Sequence, residues 1–120
     1  MGHSYPEGIL TNADLEKMVD TNDEWITSRT GIKRRHKAAD NEYTSQFGTR
    51  AALQALERAN LKPEDIDIIV CATTTPDQIM PSTGALIQAQ IGAVNAAGMD
   101  VFAACSGFLY GLTMVESMIK

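Results

Sequence analysis

The sequence predicts an α/β fold in which helices are layered on a parallel sheet, and three observations carry that expectation. Ile66-Asp67-Ile68-Ile69-Val70-Cys71-Ala72 is a nearly continuous apolar, β-branched run, the pattern of a strand buried on both faces. A second short apolar run spans Met99 to Ala104. Helical periodicity occupies the segments before, between and after these two runs, giving the order helix, strand, helix, strand, helix. The 120 residues are 44 % hydrophobic and 21 % charged, within the range of a globular domain.

Taken in order, the segment to Leu10 is turn-like, with Pro6 and Gly8. Asn12 can cap a short helix with the apolar face Leu15, Met18 and Val19. Asp23-Glu24-Trp25-Ile26 opens a second helical turn with acids at its positive end, and Gly31 stops it. The basic run Lys33-Arg34-Arg35-His36-Lys37 then falls in a loop that reaches Asn41. From Thr44 or Ser45, apolar residues at three- and four-residue steps (Phe47, Ala51, Ala52, Ala55, Leu56, Ala59) give the clearest helix, ended by Asn60 and Pro63. After the first strand, Thr73-Thr74-Thr75-Pro76-Asp77 is a polar loop. Ser82 can cap a helix that runs to Gly92, and the second strand follows. The last helix opens at Ser106-Gly107 and is expected to turn Phe108, Leu109, Leu112, Val115 and Ile119 inward.

Two strands do not make an independently stable sheet, because three or more are needed to build a hydrophobic face. Residues 1–120 are therefore expected to be a single partial domain of a larger architecture, with further strands beyond one or both ends.

Composition excludes several functions. A net charge of −5 leaves no surplus to neutralise phosphates, so nucleic acid is not an expected partner. The longest uncharged stretch begins at Gln78, is broken by Pro81, Gly84, Gly92, Asn95 and Gly98, and does not suit a membrane span. Two cysteines are too few for a disulfide scaffold, and Met1 to Pro6 holds no apolar leader core, so a reducing cytoplasm is the expected compartment. No spacing suggests a metal site.

Cys105 is the most informative residue. It lies between an apolar strand and a helix opening with the small residues Ser106-Gly107. Free N–H groups and the positive helix end at such a junction stabilise a thiolate and can hold an oxyanion. From spacing alone, an activated nucleophile and a buried structural thiol are both consistent with this position. Cys71, inside a β-branched run, reads as core. His36, among basic neighbours, reads as a solvated side chain, and no catalytic histidine is evident. Trp25 precedes Arg29 by four residues, so a helical turn sets ring and guanidinium on one side, where they can stack on an adenine and hold a phosphate. The alternative is a packing Trp beside a surface Arg.

Several segments, in order, resemble one family. They are Thr11-Asn12-Ala13-Asp14-Leu15-Glu16-Lys17-Met18-Val19-Asp20-Thr21, Asp23-Glu24-Trp25-Ile26, Arg29-Thr30-Gly31-Ile32, Ala72-Thr73-Thr74-Thr75-Pro76-Asp77, Pro81-Ser82-Thr83 and Ala103-Ala104-Cys105-Ser106-Gly107-Phe108. Together they are similar to β-ketoacyl-acyl-carrier-protein synthase III, the initiating condensing enzyme of type II fatty-acid synthesis, and the resemblance spans nearly the whole chain. It implies an N-terminal part of a thiolase-like, layered α-β-α fold, with the opening central strand clipped and later strands missing.

The resemblance further implies that Cys105 takes an acyl group from acyl-CoA and that malonyl-acyl carrier protein is then decarboxylated and condensed with it. By the same correspondence Trp25 stacks on the CoA adenine, with Thr21 and Arg29 beside the nucleotide. Met80 matches a position that reaches across a homodimer interface to bound the partner's acyl pocket. No cofactor is implied, acyl-CoA being a substrate. The family's catalytic His and Asn lie in a C-terminal half that this sequence does not contain, so these residues alone are expected to have little turnover. Two other readings remain: a related condensing or ester-forming enzyme of secondary metabolism, and a non-catalytic fragment that packs its apolar faces against another chain.

Overall fold

The computed structural model describes residues 1–119 and separates into two compact units. One holds Tyr5–Glu42, the other Met1–Ser4 with Tyr43–Lys120. Lys120 lies outside the described residues.

In the Tyr5–Glu42 unit, β1 (Ile9–Thr11) leads directly into α1 (Asn12–Glu16), followed by α2 (Asp23–Thr30) and β2 (Arg34–His36). β1 and β2 pair antiparallel, Ile9 opposite His36 and Thr11 opposite Arg34. This corrects two expectations, since the turn-like start and the basic loop each contain a strand. Both are three residues long, and β2 is made of two arginines and a histidine, so neither presents an apolar alternation to read.

The cap of α1 is Thr11, not Asn12. Thr11 is extended (φ −89°, ψ 167°), its Oγ1 accepts the Asp14 N–H at 3.2 Å, and the Asp14 carboxylate accepts the Thr11 N–H at 3.0 Å. This reciprocal capping box frees Asn12 to turn inward. The Thr11 hydroxyl, which donates to Asp14 Oδ2 at 2.5 Å, and then the Thr11 N–H hold the Asp14 carboxyl below its ordinary value. Because α1 ends at Glu16, Met18 and Val19 fall beyond it and are exposed. Asn22 caps α2 through Trp25 N–H, and Gly31 closes it at φ 71°, in the left-handed region that glycine adopts without penalty.

In the other unit, α3 (Thr44–Ala59) precedes β3 (Ile68–Ala72), α4 (Thr83–Ile91), β4 (Ala97–Val101) and α5 (Gly107–Ile119). β3 and β4 are parallel, Ile68 opposite Ala97 and Ala72 opposite Val101, with α4 as the crossover. Leu56, Ile87, Ile91 and Ala93 form the core, with Ile66, Ile69 and Cys71 packed against it. Each of the three large side chains contributes about 1.5–3 kcal/mol by leaving water. α4 lies so close to β4 that a Cβ on Gly98 would sit 2.6 Å from Ala85 N, and one on Gly84 would sit 2.5 Å from Met99 O.

Two burial expectations are corrected. β3 is half-buried rather than enclosed on both faces, because β4 is its one partner strand among the described residues. α5 faces β3 through its glycines, Gly107 against Ala72 and Gly111 against Val70, so Phe108, Leu109, Leu112 and Ile119 point to solvent. Val115 is half-buried. Small residues permit the closest approach, and that decides which face of the helix meets the sheet. Among the described residues, no helix is long and apolar enough to cross a membrane.

Candidate active site

The chain leaves β4 through a sharp turn that presents Cys105. Ala103 (φ −141°, ψ 30°) and Ala104 (φ 43°) redirect the backbone, and the 3-10 turn Ala104–Ser106 is closed by the Ser106 N–H on Ala103 O at 2.9 Å. A left-handed Ala costs about 1–2 kcal/mol, and strain of this kind is concentrated where a side chain must be aimed. The result is an exposed thiol two residues before α5, whose first turn carries N–H groups without intrahelical acceptors. Gly107 permits this placement, because a Cβ there would lie 3.2 Å from the Ala72 Cβ. A cavity of about 520 Å³ opens beside the thiol, walled by Ala72, Ile87, Ala104, Phe108 and both cysteines.

Cys71 has a different environment. It is half-buried on β3, packed against the core. Burial pushes its thiol up to about 11, and the carboxylates of Asp100 and Asp77 add repulsion to the thiolate. It is protonated at neutral pH and is a poor nucleophile there.

The remaining sequence-derived candidates fall into two places. Thr21, Trp25 and Arg29 come together in the Tyr5–Glu42 unit. The Arg29 guanidinium lies 4.8 Å from the centroid of the Trp25 ring, which is 54 % exposed, and Asp20, Thr21, Asn22 and Trp25 line a cavity of about 280 Å³. An exposed indole face beside a guanidinium suits a base next to a phosphate. Met80 is in the other unit, 81 % exposed beside Ile79, just before the Ser82 cap of α4. It does not line the cavity beside Cys105.

Other polar residues near these sites have internal duties. The Asp77 carboxylate accepts the Ser45 N–H at 2.8 Å and Thr75 O accepts the Thr44 hydroxyl at 2.6 Å, so the loop after β3 anchors the start of α3. His36, expected to be solvated, has Nδ1 2.6 Å from Pro6 O and its ring 4.5 Å from that of Tyr5. Sequence reasoning missed Asn12, Arg35 and Asp100 as organisers. Asn12 read as a cap, Arg35 as one charge in a basic loop, and Asp100 passed as part of a short apolar run. No cluster of metal-ligating side chains occurs among the described residues.

No protein-family model matches the chain. Curated relatives do. The chain is 56 % identical over 119 residues to β-ketoacyl-[acyl-carrier-protein] synthase III of Caldanaerobacter subterraneus, covering 99 % of this chain and 36 % of that protein. It is 60 % identical over 116 residues to the Campylobacter jejuni enzyme of the same name, covering 96 % of this chain and 36 % of that one. The crystal structure of 3-oxoacyl-[acyl-carrier-protein] synthase III from Aquifex aeolicus superposes with a TM-score of 0.93 at 51 % identity, over 98 % of this chain and 38 % of that one. The chain is homologous to the N-terminal part of β-ketoacyl-[acyl-carrier-protein] synthase III. It spans about 36 % of the length of these synthase III relatives. The match to the synthase III of Sulfurovum, 55 % identical, extends over 100 % of the chain and so takes in both the Cys105 turn and the Trp25–Arg29 helix. The fold is accordingly part of a thiolase-like architecture. The priming β-ketosynthase of the R1128 polyketide pathway is also similar, 35 % identical with a TM-score of 0.89 over 94 % of this chain and 34 % of that one.

Proposed function

We propose that these residues carry the nucleophile and the nucleotide contacts of an acyltransferase that starts type II fatty-acid synthesis. Cys105 Sγ attacks the thioester carbonyl of acyl-CoA, the carbon–sulfur bond to CoA breaks, and CoA leaves as a thiol. Malonyl-acyl carrier protein then loses carbon dioxide. Its carbanion attacks the Cys105 thioester, the enzyme thiolate is released, and 3-oxoacyl-carrier protein is formed. Trp25 stacks on the CoA adenine, with Arg29 and Thr21 beside the phosphates and ribose. Met80 bounds the acyl pocket of a second copy in a homodimer. The reaction takes place in the cytoplasm and needs no cofactor, acyl-CoA being consumed as substrate.

One observation carries the reading: the exposed Cys105 thiol on a turn held by a left-handed Ala104, at the start of α5. The helix start offers N–H groups to the thioester oxygen. The identities of 52–60 % to synthases of this name support the same substrates. The residues present supply the electrophile's attachment point, and turnover by these residues alone is expected to be slight. The deciding experiment is intact mass with peptide mapping before and after exposure to acetyl-CoA. An acetyl group on Cys105 and not on Cys71 supports the proposal. Acetylation confined to Cys71 rejects it.

A second reading is favoured by the polyketide priming synthase, which shares the fold at 35 % identity. In that case Cys105 is acylated in the same way and the acceptor differs. Offering malonyl-carrier protein and small alcohol or amine acceptors to the acylated protein separates the two.

A further inference from the structure

We infer that Asn12 is a positioning residue that sets the seat of Trp25 and Arg29, and through them the affinity for the nucleotide end of acyl-CoA. This rests on the reading of Trp25 and Arg29 as the nucleotide clamp.

The argument begins with what α2 lacks. Its sequence, Asp-Glu-Trp-Ile-Thr-Ser-Arg-Thr, is polar, and it buries one side chain, Ile26. A single apolar contact fixes where a helix sits but leaves its rotation loose, so the direction of the Trp25 ring depends on polar contacts.

Those contacts converge on Asn12, whose carboxamide is 2 % exposed. Its Nδ2 donates to Asp23 Oδ1 at 2.7 Å and to Ile32 O at 2.9 Å, with a longer approach to Thr27 Oγ1 at 3.4 Å. Its Oδ1 accepts from the Arg35 guanidinium at 2.9 Å, and its backbone N–H donates to Lys33 O at 3.3 Å. Asp23 and Thr27 flank Trp25 on α2, and Ile32 follows the Gly31 that closes the helix. One side chain thus grips both ends of α2. On β2, Arg35 is half-buried while Arg34 and His36 are exposed, and Arg35 also reaches Leu10 O at 3.4 Å.

The site demands a carboxamide. Two N–H donors must meet a carboxylate and a carbonyl while one oxygen meets a guanidinium. A carboxylate here would repel Asp23 and the Ile32 carbonyl, and an apolar side chain would take from Asp23 Oδ1, Ile32 O and the Arg35 guanidinium the one group that joins them.

The test is calorimetric titration of the full chain with CoA, run beside the rate at which iodoacetamide alkylates Cys105 and the amide spectrum of residues 5–42. For Asn12→Asp and Asn12→Ala, the dissociation constant for CoA is expected to rise at least tenfold, with Cys105 alkylation unchanged and the amide signals still dispersed. Asp23→Ala, which removes the partner and leaves Asn12 in place, guards against a variant that fails to fold. It should weaken CoA binding two- to fivefold, and combining it with Asn12→Ala should be no worse than Asn12→Ala alone. If Trp25→Ala weakens binding while Asn12→Ala and Asp23→Ala stay within twofold of the unaltered chain, Asn12 does not position the clamp. If CoA binding is absent from the unaltered chain, or indifferent to both Trp25→Ala and Arg29→Ala, the clamp reading itself fails and this inference with it.

Discussion

The Asp100 carboxylate on β4 receives the backbone N–H of Thr83 on one oxygen, at 2.8 Å, while its other oxygen takes the Gly84 N–H at 2.7 Å. An acid in the middle of an apolar strand thus caps the helix that crosses over the sheet, and it ties the strand leading to Cys105 to the first turn of α4. Asp100→Asn keeps the shape but loses the charge and one acceptor. Charge-assisted bonds of this kind are worth about 1.5–3 kcal/mol each, so urea unfolding should show a loss of about 1–3 kcal/mol. An unaltered urea midpoint would contradict the capping role.

The same carboxylate disfavours the Cys71 thiolate. Cys71 ionises only near pH 11 in the folded chain, so at neutral pH iodoacetamide should label the exposed Cys105 and spare Cys71. Cys71 labelling should then climb about tenfold per pH unit until its thiol ionises. In Asp100→Asn the rise should begin at lower pH. The folded chain keeps a proton that the unfolded chain releases from its ordinary value near 9, so this group favours folding less as pH rises from 9 towards 11. Mass mapping that finds both cysteines labelled equally at pH 7 would refute the assignment.

Close approach, rather than bulk, holds α4 on β4. Gly98→Ala introduces a methyl group 2.6 Å from Ala85 N and 2.7 Å from Ala85 Cα, both backbone atoms that cannot swing aside. Overpacking of this kind costs about 1–3 kcal/mol. Thermal melting should show a drop, whereas Gly92→Ala, at φ 77° with open space around it, should cost only the left-handed penalty of about 1–2 kcal/mol.

Base stacking on an aromatic ring is worth about 1–3 kcal/mol, and an exposed cation–π contact about 0.5–1 kcal/mol. Trp25→Ala should therefore weaken CoA binding by roughly 5- to 150-fold and Arg29→Ala by less, if its phosphate contact is solvent-screened. Equal affinity for CoA and for dephosphorylated pantetheine in the unaltered chain would show that the nucleotide end is not recognised here.

Much of the larger unit was legible in the sequence, because its elements carry strong periodic signals. α3 begins at Thr44 and closes at Asn60, φ 53°, as the apolar spacing and the turn residue indicated. The strand pair is parallel, as two apolar runs joined by a helix indicated. The direction of α5 was not legible, because its hydrophobic residues are spread around the helix and the glycines that seat it carry no hydrophobic signal. The Tyr5–Glu42 unit resisted for another reason: it is organised by polar contacts among distant residues, Asn12 with Arg35 and Asp23 above all, and periodicity does not record them. The Trp25–Arg29 stack was readable because four-residue spacing is a local rule. The Cys105 junction was readable as a strand-to-helix passage, but the left-handed Ala104 that aims it was not, since alanine rarely adopts that conformation.

Trp25 is the single tryptophan of the chain, and it stands half-exposed under Arg29 at the mouth of the smaller cavity. All indole emission therefore originates at one face of one helix. Light absorbed at the red edge of the ultraviolet band passes over the three tyrosines and reports that face alone, so the chain needs no dye to announce what settles there.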